Sequence, residues 1–152
     1  MTLLMPERPD ARTRRIVAER ANFRCEYCLT PAGIVPSPFS SEHILPRSKG
    51  GNATLENLAF SCQGCNGHKA AKTTALDPAT RKTVSLFHPR QQTWADHFGW
   101  AADGTRIEGR SPIGRATVSA LQLNRAGWQN LRRLMVLADL HPADNSRGVS
   151  RS

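Results

Sequence analysis

Four cysteines stand as two Cys-x-x-Cys pairs, Cys25/Cys28 and Cys62/Cys65, with 33 residues between them. Each short knuckle presents two thiolates to one ion, so the two pairs together make a tetrahedral set for structural Zn²⁺. The usual gap between such pairs is ~15–20 residues, so something sizeable is inserted here. A thioredoxin-like redox pair would need only one such motif, set beside a βαβ pattern. The insertion and the second knuckle carry a further polar set: Glu42-His43, Asn57, Asn66 and His68. These residue types suit phosphodiester hydrolysis. That reaction needs a deprotonated water, counter-charge for a pentacovalent phosphorane, and help for the leaving 3′-oxygen. A neutral imidazole can take the proton. A divalent cation can supply both charge terms. A carboxylate and an amide oxygen suit Mg²⁺ or Mn²⁺ better than a sulfur-bound zinc.

The elements that would position these groups are short. Asp10 is placed to cap a helix over about 11–21, which carries a weak apolar stripe at Ile16, Val17 and Ala21. Pro31, Gly33, Pro36 and Pro38 make 29–41 a loop. A strand over 41–45 stops at Pro46, and a loop at 48–52 follows. A second strand over 58–61 delivers Cys62, and 64–72 reads as a helix with Cys65, Lys69 and Lys72 on one side. The insertion is thus a β-β-α unit, too small to fold well without metal. Downstream, a strand is expected over 84–87. Strands over 98–101 and 105–108 flank Asp103-Gly104, a pair favoured in type I′ turns. Ser111-Pro112 opens a helix over 113–122. A last helix over about 125–139 places Trp128, Leu131, Leu134, Met135 and Leu140 at core-like spacing. The expected fold class is therefore α+β: a small zinc-stapled ββα core with flanking helices and a C-terminal hairpin plus helices. The expected divisions are 1–24 (frayed tail and basic helix), 25–72 (the core), 73–142 (an extension packed on it) and 143–152 (a disordered tail).

Charge narrows the partner. Of 152 residues, 21 are Lys or Arg against 12 Asp or Glu, for a net +9 and a pI near 10.4. Arginine supplies 17 of the 21, and its planar fork of donors matches phosphate oxygens. Nucleic acid is the leading partner class for such a chain, against a merely solvated basic surface. No uncharged apolar run approaches the ~18 residues of a membrane span, and Leu3-Leu4-Met5 is too short for a secretory signal. A cytoplasmic protein without a membrane partner is expected.

The string Cys25-x-x-Cys28, Glu42-His43-Ile44-x-Pro46, Gly50-Gly51, Asn57-Leu58, Cys62-x-x-Cys65-Asn66-x-x-Lys69 resembles the HNH endonucleases, the ββα-metal nucleases. The likeness is to the branch stapled by a four-cysteine zinc, and it covers 25–72. Glu42 stands where Asp is commoner, and Asn66 where the family name implies His. Downstream, Leu86-Phe87-x-Pro89-Arg90, His97-Phe98-x-Trp100 and Gly114-Arg115-Ala116-Thr117 resemble an extension found in one HNH subgroup, and no function carries over from it. The resemblance implies His43 as general base, Glu42 and Asn66 as ligands of a catalytic divalent ion (Mg²⁺, or Mn²⁺ or Ni²⁺), and Asn57 as the brace of the loop orienting His43. Adjacent strand residues face opposite sides, and the family places the Glu-His pair at the strand end. His68, Lys69, Lys72 and Arg47 are candidate phosphate contacts. For His68 the rivals are plain surface or a metal ligand, although two helical positions from Asn66 is ~200° away. The implied activity is DNA hydrolysis leaving 5′-phosphate and 3′-hydroxyl ends. A monomer would nick, and a homodimer would cut both strands. The rival readings are a degenerate scaffold that binds nucleic acid without cutting it, and an RNA- or protein-directed zinc adaptor.

Overall fold

A computed structural model describes residues 8–142 of the chain. Helix α1 (Ala11–Arg20) starts where Asp10 accepts a hydrogen bond from the Thr13 backbone N–H, 2.8 Å away. Its Val17 and the adjoining Ala21 bury against Leu58 and Phe60. Strand β1 (Ser40–His43) pairs antiparallel with β2 (Leu58–Ser61), with Glu42 opposite Ala59 and His43 opposite Leu58. Helix α2 (Gln63–Lys69) follows, capped by the Cys62 sulfur, which accepts from the Cys65 N–H. This is the expected ββα unit.

Its boundaries differ from expectation for physical reasons. β1 ends at His43, not Leu45, because the Asn57 side chain takes over the Leu45 backbone. α2 ends at Lys69, not residue 72, because Ala70 leaves the helix with φ +49°.

The extension begins with a hairpin of β3 (Thr74–Leu76) and β4 (Thr83–Ser85). β3 was not expected, and its partner is shorter than the strand read over 84–87. Then come α3 (Trp94–His97), β5 (Phe98–Trp100), β6 (Ile107–Gly109), α4 (Pro112–Leu121) and α5 (Ala126–Leu137). β5 and β6 form the expected hairpin, but not through a two-residue turn. Trp100 pairs with Ile107, leaving a six-residue loop, 101–106. A type I′ turn needs positive φ at both central residues, and of Asp103 and Gly104 only Gly104 has it. Asp103 instead accepts hydrogen bonds from the N–H and hydroxyl of Thr105.

α4 opens on Ser111, whose hydroxyl accepts from the Gly114 N–H at 2.9 Å. α5 turns a different face inward than its leucines suggested. Arg132 and Met135 are buried, whereas Leu134 and Leu140 are 63% and 48% exposed. The Arg132 guanidinium donates to the Thr105 and Leu123 carbonyls and to Asn124 Oδ1. A guanidinium whose donors find carbonyls can take a core position.

One apolar core joins the two regions. Cys25, Tyr27, Ile44 and Ala59 pack in the same cluster as Leu86, Phe87, Trp94, Phe98, Ile107, Leu121 and Leu123. The tail expected over 143–152 and the first seven residues lie outside the described chain.

Candidate active site and metal centre

The four cysteine sulfurs all lie within 4.8 Å of one another, and all four residues are buried. A tetrahedron with Zn–S bonds of about 2.3 Å has edges of roughly 3.8 Å. The Cys28 and Cys62 sulfurs are 3.7 Å apart. Each knuckle turns a backbone N–H onto its first sulfur, from Cys28 to Cys25 and from Cys65 to Cys62. Thr30 Oγ1 lies 3.1 Å from the Cys28 sulfur. The cluster fits structural zinc, and it is the sole group of three or more His, Cys, Asp or Glu with ligand spacing among the described residues.

The knuckles hold the ββα unit so that its polar residues meet at one cleft of about 640 Å³. Glu42 and His43 of β1 and Asn66 of α2 line it, together with Arg8, Arg14 and Arg47. The two carbonyl groups just past the strand are clamped from both sides. Asn57 accepts from the Leu45 N–H at 2.8 Å and donates to the Leu45 and Asn52 carbonyls at 3.0 and 2.8 Å. Its own carbonyl accepts from Ile44 N–H. Gly51 permits this approach: a Cβ there would lie 1.7 Å from the Leu45 carbonyl oxygen.

Lys69 clamps the other side. It is a buried residue, 1% exposed, and so does not serve as the exposed phosphate contact expected from sequence. Its ammonium lies 2.7 Å from Glu42 Oε1 and donates to the Ile44 carbonyl at 2.9 Å and, more weakly, to that of His43 at 3.4 Å. Three donors meet three acceptors, which is what lets a lysine charge stay inside.

Glu42 faces inward, as strand alternation requires with His43 on the other face. Its Oε2 accepts from the Tyr27 hydroxyl at 2.9 Å. Burial raises its pKa, and the Lys69 charge and the Tyr27 bond oppose that rise. Oε1 meets the Lys69 ammonium as a close ion pair. A carboxylate has about four lone-pair sites, so Glu42 keeps capacity for a further cation on its cleft side. His43 is half-buried. Burial first, then the charges of Arg47 and Lys69, lower its pKa below the ordinary 6.5. It is therefore neutral near pH 7.

Arg47, His68 and Lys72 are exposed. Arg47 lines the cleft, whereas His68 and Lys72 are outside its lining. The Lys72 ammonium donates to the His68 carbonyl at 2.9 Å. Sequence reasoning missed Tyr27, Arg8 and Arg14 as parts of the site. The inward turn of Lys69 had a signal, since it falls four residues after the buried Cys65 on the same helix face.

Residues 25–72 match the family model of the HNH endonucleases. The match runs from the first zinc knuckle to just past α2, about a third of the chain. No curated protein and no solved structure matches the chain. An HNH segment points to a nuclease or nucleic-acid-binding function, with DNA as substrate or partner. Among the described residues no helix is long and apolar enough to cross a membrane.

Proposed function

We propose that this protein is a metal-dependent endonuclease that hydrolyses DNA phosphodiester bonds, with His43 as general base. The observation that carries this reading is the shared cleft: a neutral imidazole, a carboxylate, an amide and three arginines line it together. Glu42 and Asn66 would hold a hard cation such as Mg²⁺, Mn²⁺ or Ni²⁺. That ion would stabilise the phosphorane charge and the departing 3′-oxygen. His43 takes the proton of the attacking water. Asn57 and Lys69 fix the peptides that follow it, so the ring keeps its aim. Arg8, Arg14 and Arg47 bind backbone phosphates, a salt-sensitive interaction with little base readout. His68 on α2 and Lys72 just beyond its end extend this basic surface. One site per chain nicks one strand, and a homodimer would cut both.

A second reading has one observation in its favour. Both Glu42 oxygens already face partners, Tyr27 and Lys69, as they would in a scaffold that binds DNA without cutting it.

Supercoiled-plasmid cleavage with EDTA and a panel of divalent ions separates the two. His43→Ala should cut cleavage by about 10²–10⁴-fold and leave DNA affinity nearly unchanged. No nicking by the wild type with any metal, with DNA binding intact, selects the binding module. Equal cleavage by both proteins removes His43 as base. The pH profile adds a sign. A base works when neutral, and a lowered pKa keeps His43 neutral below pH 6.5. The acid limb of kcat/KM should therefore lie below 6.5, and Arg47→Ala should move it upward.

A further inference from the structure

Arg125 lies at the junction of α4 and α5, 60 residues beyond the last zinc knuckle. Its Nη2 is 4.0 Å from the Cys62 sulfur and 3.9 Å from the Cys65 sulfur. Its Nη1 donates to the Leu121 and Gln122 carbonyls at the end of α4, both at 2.8 Å. The guanidinium also stacks 4.6 Å from the Trp128 ring centroid. Inside the second knuckle, Gly64 leaves the space it fills: a Cβ there would fall 2.7 Å from Nη2.

Four thiolates around Zn²⁺ carry a net charge of −2, and these four are buried. Such a charge is costly to bury without a counter-ion. We propose that Arg125 is the positioning residue of the zinc centre, a counter-cation laid by the extension across Cys62 and Cys65. This rests on zinc being the ion of the four cysteines. Arg125 draws electron density from the two sulfurs and offsets one unit of charge. It also covers the second knuckle, so release of the ion requires the α4–α5 junction to move. The extension is thereby part of the metal site. Two further bonds tie it to the first knuckle: Trp94 donates its indole N–H to the Tyr27 carbonyl, and Arg90 pairs with Glu26.

The test uses the full-length, zinc-loaded protein, with the zinc-to-protein ratio measured first. Absence of zinc overturns the zinc reading itself, which separates that failure from failure of the Arg125 role. Arg125→Met removes the charge. Gly64→Ala keeps the charge and displaces the guanidinium, a movable side-chain end. Alanine also favours the helix over glycine, so loss of folding would not explain its effect. Zinc affinity, by chelator competition, should weaken about 10–100-fold in both variants. Zinc release on thiol alkylation should quicken. In the Co²⁺-substituted proteins the sulfur-to-cobalt charge-transfer band should move to lower energy, as sulfurs without a counter-cation are richer in electrons. Arg125→Lys should recover part of each effect. Unchanged affinity and an unchanged band in folded Gly64→Ala overturn the proposal, whatever becomes of Arg125→Met.

Discussion

Residues 25–72 and residues 73–142 fix their side chains by different means, although one core runs through both. In the first region, four buried sulfurs and two polar clamps, Asn57 and Lys69, set nearly every position that matters to the cleft. In the second, rings and a few ion pairs do so. Phe98 lies against Phe87 and Trp94, with ring centroids 5.2 and 5.1 Å away. Arg115 donates two parallel bonds, both 2.9 Å, to the carboxylate of buried Asp77. The contrast teaches which forces suit which task. A ligand-held or hydrogen-bonded group has one permitted direction, which a catalytic imidazole requires. An apolar contact has magnitude but little direction, which suffices for a brace. The two regions meet where Arg125, Trp94 and Arg90 of the second touch, in turn, two sulfurs, a carbonyl and a carboxylate of the first.

Removing the metal should have the largest effect, and it tests whether the dependence runs one way. Zinc binding to small cysteine sites carries apparent free energies of about 10–16 kcal/mol, against a whole-domain stability of about 5–15 kcal/mol. Cys28→Ser, or stripping the metal by chelation, should therefore abolish the cooperative thermal transition of residues 25–72. Because Leu86, Phe87 and Leu121 pack in the same cluster as Cys25 and Cys65, the extension should lose its tertiary near-ultraviolet signal in the same step. A surviving transition in the chelated protein would show that the extension folds by itself, and would break the comparison in its present form.

The legibility of the two regions follows the same physical divide. The cysteine spacing, the Glu-His pair and Asn57 could be placed from sequence because ligand and hydrogen-bond geometry tolerates few residue types. The ββα order was readable for the same reason, and so were the caps Asp10 and Ser111. Lys69 misled as a residue type, since lysine is almost always at the surface. Its spacing from Cys65 was the better guide. In α5 the inward face runs through Trp128, Arg132 and Met135, so an arginine took a place that pattern reading gives to leucine. β3 escaped because three residues, Thr74–Leu76, are too few to show alternation. Asp77 escaped because its partner is 38 residues away on α4, and long-range ion pairs leave no local pattern.

Phe98→Ala probes the second region alone and should have an intermediate effect. Phe98 is 1% exposed and sits between two other rings. Truncation of such a phenylalanine costs about 3–5 kcal/mol in transfer and cavity terms together. Denaturant midpoints should fall accordingly, while zinc-to-protein ratio and cobalt spectrum stay as in wild type, since the ring packs on Phe87 and Trp94 of the second region. Loss of the metal at the same denaturant-free condition would mean that the rings, and not the sulfurs, dictate the first region's geometry.

Ser111→Ala should have the smallest effect and sharpens the comparison most. The Ser111 hydroxyl accepts from the Gly114 N–H and lies 2.6 Å from His97 Nδ1. Loss of a helix cap of this kind costs about 0.5–2 kcal/mol. α4 is held further along its length by Arg115 on Asp77 and by the Thr117 hydroxyl, which accepts from the Phe87 N–H. The first turn should therefore fray while Leu121 and the α4–α5 junction keep their places. Amide exchange should accelerate at Gly114 and Arg115 and remain slow at Leu121 and Leu123. Zinc affinity should remain that of wild type, because the guanidinium of Arg125 is anchored at the opposite end of the helix, on the Leu121 and Gln122 carbonyls. If this conservative loss weakened zinc as much as Arg125→Met, α4 would be transmitting strain along its whole length. The sulfur-held and the ring-held regions would then be one mechanical unit.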